Sequence, residues 1–138
     1  MGYWLIKSEP ETWSWEDHVK AGTEEWDGVR NYQARNNMSA MEIGDRVFFY
    51  HSVKEKQVVG IVEVASESHP DSTDTTGKWT CVDFRAVKPF TKPVTLDQIK
   101  ADPRLTDMVL VNNSRLSVQP VTEDEWRLVC SLGETDPD

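Results

Sequence analysis

Short runs rich in β-branched and aromatic residues recur along this chain, and each is cut off by turn formers or by a short capped segment. "YWLIKS", "GDRVFFYHS", "KQVVGIVEVAS" and "WTCVDFRAVKPF" all have this strand character. None of them runs into a glycine-rich phosphate loop followed by a crossover helix, so a doubly wound α/β architecture is excluded. The pattern predicts an α+β fold, with a curved sheet or small barrel flanked by short helices.

The helical segments are marked by their ends. Ser14 with Asp17 three residues on reads as an N-cap, and Gly22 as a stop. Ala34, Met38 and Met41 fall at i, i+4 and i+7, one apolar stripe that Gly44 is expected to end. Thr95 with Gln98 and Thr122 with Glu125 form capping boxes; the second opens a helix with Trp126, Val129 and Cys130 on one face, closed by Gly133. Between them "MVLVNNSRLSVQPV" reads as a strand, an Asn-Asn-Ser turn and a second short strand. Gly60 inside its run marks a bulge or barrel bend. In "WTCVDFRAVKPF" strict alternation puts Val82, Phe84 and Ala86 on one side and Cys81, Asp83 and Arg85 on the other. Residues 133–138 are expected to fray.

The chain has 138 residues, enough for one domain, 1–138, with a core that needs no staples. There is no membrane-length apolar run, no signal peptide and no myristoylation motif. Cys81 and Cys130 stand far apart in apolar surroundings and read as reduced, buried residues of a cytoplasmic protein. Ligand spacing for a metal is absent, and His18, His51 and His69 are isolated. The net charge of −9 excludes a broad phosphate-gripping face. Residues 122–138 hold six acids against Arg127 alone, so a local basic rim elsewhere stays open.

Chemistry by nucleophile finds little support. His51 and Ser52 are neighbours in a strand and point to opposite faces, and there is no nucleophile elbow, Walker loop or dinucleotide fingerprint. Binding is better supplied. "WDGVRNYQARN" packs a Trp, a Tyr, two Arg, three amides and an Asp-Gly turn into eleven residues. Flat heteroaromatic rings are held by aromatic faces plus a few fixed polar groups, nucleobases above all. Of the six tryptophans, Trp4 and Trp126 are expected in the core, and Trp13 and Trp15 flank a helix with one of them buried. Trp26 and Trp79, each beside polar turn residues, are the candidates for a ligand.

The motifs "YWLIKSEPETWSW", "WDGVRNYQARN", "GDRVFFYHS", "VVGIVEV", "PVTLDQIKADPRL" and "RLSVQPVTEDEW" resemble, in order and spacing, those of EVE-domain proteins. That resemblance covers nearly the whole chain and implies a single EVE domain with a PUA-like small β-barrel of about five to six strands, related to YTH domains and holding a pocket for a modified base. It carries the pocket onto Lys7, Ser8 and Glu9 of "KSEP", onto Val29, Arg30 and Asn31 of "GVRN", onto Tyr50, His51 and Ser52 of "YHS", and onto Arg115 and Ser117 of "RLSVQPV". Arg30 stands where YTH domains carry a Trp, which leaves stacking to Trp26, Tyr32, Trp79 or the guanidinium plane of Arg30 itself. Glu9 suits the exocyclic amine of cytosine, Asn31 a neighbouring ring edge, and an aromatic wall or Ser52 a 5-methyl or 5-hydroxymethyl group. Other roles stay open: a salt bridge of Glu9 with Lys7 or Arg35, solvated charge for Arg30 and Arg35, and an N-cap for Asn31.

The implied function is a non-catalytic module, a monomer without cofactor, metal or membrane contact. Its partner is a modified nucleobase of the 5-methylcytosine type, in single-stranded or flipped DNA or RNA. A sensor of a free heteroaromatic ligand, an enzyme acting on a modified base and a protein-interaction module are the alternatives.

Overall fold

Four successive residues, Val47, Phe48, Phe49 and Tyr50, are all buried in strand β3 (Arg46–His51). Both faces of that strand are therefore covered, which is why the run shows no polar alternation. The computed structural model describes residues 2–138, so Met1 of the expected 1–138 domain lies outside the described residues.

The sheet order is β2-β7-β4-β3-β1-β8. β1 (Tyr3–Ser8) runs parallel to β3, while β4 (Gln57–Val64), β7 (Asp83–Thr95), β2 (Thr23–Glu25) and β8 (Val118–Val121) pair antiparallel with their neighbours. Adjacent residues feed opposite cores. Leu5, Phe48 and Ile61 pack on one face with Trp126, Val129 and Ile99. Ile6, Phe49 and Val62 pack on the other with Trp15, Met38 and Phe84. The result is a curled six-stranded mixed sheet, a half-barrel flanked by short helices.

The bend has a visible cause. Gly60 sits where the register slips between β3 and β4 and again between β4 and β7. A Cβ there would lie 2.6 Å from three carbons of the Trp15 indole, so only glycine lets that ring lie on the strand. Trp15 is the buried member of the Trp13/Trp15 pair.

Helix α1 (Trp15–Ala21) has the Ser14/Asp17 capping box and ends at Gly22 (φ +77°). Helices α3 (Leu96–Ala101) and α5 (Glu123–Leu132) have the Thr95/Gln98 and Thr122/Glu125 boxes. Helix α2 (Tyr32–Ala40) starts at Asn31 and buries Ala34 and Met38, but it is capped at Met41 rather than ended by Gly44. Gly44 serves the turn after it at φ +93°, where the buried Asp45 carboxylate accepts from the amides of Glu42 and Gly2 and from the Trp4 indole.

Three expectations are corrected. The apolar run 108–111 is no strand: Val109–Asn112 form a one-turn helix, α4, with Asn112 Nδ2 bonded to the carbonyls of Thr106 and Met108. A four-residue apolar run carries no readable period, and local hydrogen bonds decide it. The alternation of 81–86 fails at Cys81, which is as buried as Val82. There the chain leaves a small ribbon, β5 (His69–Pro70) with β6 (Thr80–Cys81), and enters the main sheet. Residues 133–138 are tied down rather than frayed. Thr135 donates its amide to Cys130, its hydroxyl accepts from the Thr91 amide, and the Pro137 carbonyl accepts from the Trp126 indole at 2.9 Å. Among the described residues no helix is long and apolar enough to cross a membrane.

Candidate nucleobase-binding site

A hollow of about 700 Å³ opens where β1 ends, between that strand end and the loop joining β2 to α2. That volume is in the range of small-molecule sites, roughly 300–1,000 Å³. β1 supplies Lys7 and Ser8, and Glu9 follows them. The β2–α2 loop supplies Trp26, Val29, Arg30 and Asn31, and Ser117 closes one side. Half of the site residues named from sequence thus meet in one place.

Gly28 of "GVRN" lines the hollow too, along with residues the sequence reading missed: Thr12, Trp13, Glu24, Glu25 and Asp27. Trp13 had a usable signal, a tryptophan just before a capping box. Glu24 and Glu25 sit in β2, a strand too short and too polar to announce itself.

Both indoles are held by a buried histidine. Trp13 donates Nε1–H to His18 Nδ1 at 3.1 Å, while His18 Nε2 lies 2.9 Å from the Phe84 carbonyl. Accepting on one nitrogen and donating on the other defines a neutral ring, and burial lowers the His18 pKa accordingly. Trp26 packs at an angle on His18, Phe49 and Phe84, with ring centroids 5.9, 5.8 and 5.7 Å away. The two tryptophans are thus positioned by core groups before any ligand enters.

The loop carrying Trp26 to Asn31 hangs from Asp71, whose side chain is 1% exposed. Its carboxylate accepts from the Gly28 amide at 2.9 Å, from Arg30 Nη1 at 3.1 Å, and from the amide and hydroxyl of Thr73. Burial raises the Asp71 pKa, but these donors outweigh it and hold the group ionised. Gly28, at φ +79°, makes the turn that aims its amide at Asp71. Arg30 is therefore held by in-plane hydrogen bonds to Asp71 and Thr73, with its guanidinium carbon near the Trp79 ring.

Charge in the hollow is mostly negative, with Glu9, Glu24, Glu25 and Asp27 facing Lys7 and Arg30. Burial, then Asp71, Glu25 and Glu24, push the Asp27 carboxyl up. Burial lowers the Lys7 pKa, and its ammonium donates to the Ser114 carbonyl at 2.6 Å. Glu9 has no ion pair among the described residues, so the salt bridge with Lys7 or Arg35 does not form. Asn31 Oδ1 caps α2 by accepting from the Ala34 amide, while its Nδ2 has no protein partner among the described residues. A carboxylate-rich hollow of this kind accepts hydrogen bonds; it is poorly suited to phosphate.

The other named residues lie elsewhere. Tyr50 is buried in the α5-side core, where burial and Asp97 push its phenol up to about 12. His51 is fully engaged: Nε2 accepts from the Trp15 amide at 3.1 Å and Nδ1 meets Glu55 at 2.8 Å, so it is no base for Ser52. Ser52 joins the hollow's edge only through its amide, which donates to the Ser8 carbonyl. Arg115 is exposed on the loop before Ser117. Tyr32, Arg35 and Trp79 form a separate cluster outside the lining. The two cysteines are free and buried, with thiols pushed up to about 12. Glu25, His69 and Cys81 bring donor atoms within 4.8 Å of one another. Two of the three are already engaged: His69 meets Asp83 at 2.8 Å, and Glu25 accepts from the Ser72 amide and hydroxyl.

Fold and hollow together define a class, a PUA-like half-barrel with an aromatic, carboxylate-rich hollow beside one end of a central strand. The EVE domain model matches residues 2–132, and the chain belongs to the EVE domain family. Mouse thymocyte nuclear protein 1 is 36% identical over 98% of this chain and 75% of its own length. A crystal structure of a protein from Agrobacterium tumefaciens is 57% identical, with a TM-score of 0.94 over 98% of this chain and 94% of that one. Human THYN1, solved in complex with 5-methylcytosine-containing DNA, is 35% identical, with a TM-score of 0.89 over 99% of this chain and 100% of that one.

Proposed function

We propose that this chain is a non-catalytic binding module that takes a modified nucleobase of the 5-methylcytosine type out of a DNA or RNA strand. The observation that carries this reading is the pairing of two core-locked indoles, Trp13 and Trp26, with an unpaired carboxylate, Glu9, around one hollow. An aromatic wall receives the face and the 5-methyl group of the ring, and a carboxylate accepts from cytosine N4. The complex of human THYN1 with 5-methylcytosine-containing DNA supports the same ligand class. A base paired and stacked in a duplex cannot reach Trp13, Trp26 and Glu9 together, so the base must leave its stack, and single-stranded or flipped substrate is expected.

The test is a tryptophan-fluorescence titration with 5-methylcytidine, N6-methyladenosine and the unmodified nucleosides, each as deoxyribose and ribose forms. 5-Methylcytidine should bind tightest, and Glu9→Gln should weaken it by about tenfold while leaving the fold intact by circular dichroism. Equal affinity for all nucleosides would sink the reading. Incubation with the same nucleosides, followed by chromatography, should return them unchanged; a new product peak would point to an enzyme.

A further inference from the structure

Tyr32, the first residue of α2, stacks on Trp79 with ring centroids 4.8 Å apart and planes 23° from parallel. The Arg35 guanidinium carbon lies 4.9 Å from the Tyr32 centroid and 5.6 Å from the Trp79 centroid. These three distances describe a nearly equilateral triangle, so Arg35 sits beside the stack. The outer face of Tyr32 is left open, and the residue is 59% exposed. Arg30 stands 5.4 Å from the Trp79 centroid and also lines the hollow, so the stack and the hollow share a wall.

The stack is held from below. Asp74 accepts from the Trp79 amide at 2.9 Å, and Arg35 Nη1 donates to the Lys78 carbonyl at 3.0 Å. The carboxylates nearby are engaged: Asp71 is spent on Gly28, Arg30 and Thr73, and Asp74 on Thr76 and Trp79. Arg35 and Lys78 have no carboxylate partner among the described residues. On a chain of net charge −9, this leaves half-buried Arg35 beside the stack, and exposed Lys78 next to Trp79 in sequence, as positive charge without a carboxylate partner. Core packing does not explain the exposure of Tyr32, and Arg35, bonded to Asn36 Oδ1 and the Lys78 carbonyl, keeps its charge unneutralised.

We propose that this cluster is a strand-docking subsite, resting on the base-binding reading of the hollow. With one base in the hollow, the adjoining nucleotide of the same single strand lays its base on Tyr32, and the phosphate between them meets Arg35 and Lys78. Stacking on aromatic faces with guanidinium support is tolerant of sequence, so the subsite adds affinity without choosing the neighbour. It gives an acidic protein the backbone contact that its overall charge withholds.

The experiment compares free 5-methyldeoxycytidine with a single-stranded pentanucleotide carrying 5-methylcytosine at its centre, in DNA and RNA versions to separate the sugars. The pentanucleotide should bind at least tenfold tighter than the nucleoside. Tyr32→Ala and Arg35→Ala should each remove about tenfold from the pentanucleotide and leave the nucleoside unchanged. Tyr32→Phe should restore the affinity, and Arg35→Ala should lower the salt slope by about 0.7, one single-strand phosphate. If the nucleoside binds but the pentanucleotide gains nothing, or the variants leave it unaffected, the subsite is overturned while the hollow's reading stands. If neither ligand binds, the hollow's reading falls and the subsite with it.

Discussion

Trp13 and His18 share one proton: the indole N–H at 3.1 Å from Nδ1 requires that nitrogen to be bare, and Nε2 then donates to the Phe84 carbonyl. Protonating His18 would set two N–H groups against each other inside a buried site. Its pKa is lowered from 6.5 by burial, so the folded state favours the neutral ring. The stability this contributes is present above about pH 6.5 and is lost as pH falls toward the folded pKa. His69 runs the other way, its pKa raised by its hydrogen bond to Asp83 and by the Pro70 carbonyl. Its contribution is present below about pH 6.5 and is lost as pH rises through the folded value. In an NMR titration, the His18 ring should titrate below pH 6.5 and the His69 ring above it. His18 titrating at or above 6.5 would contradict the lock on Trp13.

Asp71 holds the loop that carries Trp26 through Asn31, although it lies outside the hollow. Asp71→Ala removes the buried acceptor of the Gly28 amide and Arg30, two donors that lie at the surface. Losing part-buried hydrogen bonds of this kind costs about 0.5–1.5 kcal/mol each. Urea denaturation should report a loss of that size, and 5-methylcytidine affinity should fall with it, while far-UV circular dichroism stays unchanged. A loss of stability with unaltered nucleoside affinity would separate the loop from the ligand.

The sequence was legible wherever a local rule decided the outcome. Ser14/Asp17, Thr95/Gln98 and Thr122/Glu125 each hold two hydrogen bonds within four residues, so the helix starts could be read directly. β1, β3 and β4 announced themselves by composition. β2 and the 108–111 run did not, because a three-residue edge strand and a one-turn helix are settled by their neighbours. The site divides along the same line. Lys7, Glu9 and Asn31 belong to contiguous motifs and arrive together. Tyr50 and His51 share such a motif, yet strand alternation and the covering helices send them into the interior. Trp13 enters the hollow through a histidine five residues on that reaches across to Phe84, a relation no spacing rule contains.

Gly60 is a packing requirement. An alanine Cβ would sit 2.6 Å from the Trp15 ring, and Trp15 is pinned by its amide bond to His51 and by its edge contact with Phe49 at 5.4 Å. Overpacking costs about 1–3 kcal/mol, and more where neither side can yield. Gly60→Ala should lower stability by at least that range and alter the near-ultraviolet circular dichroism of the tryptophans. The double change Gly60→Ala with Trp15→Leu should recover part of the loss. No recovery would mean that Gly60 is needed for the bulge alone.

The C-terminal residues are structural. Trp126 stacks on Phe48 with centroids 3.9 Å apart, and its buried indole N–H has the Pro137 carbonyl as acceptor. Thr135 adds a hydroxyl that receives the Thr91 amide and donates to the Gly133 carbonyl, stitching α5 to β7. Deleting residues 135–138 strips the indole and the Thr91 amide of their partners. Losing each such hydrogen bond costs about 0.5–1.5 kcal/mol net, so the truncated chain should lose roughly 1–3 kcal/mol in urea denaturation. Because Trp13, Trp26 and Val29 of the hollow pack on the other core from α5, 5-methylcytidine affinity should be unchanged. A truncation with unaltered stability would show that the tail's bonds are replaced by water at no cost.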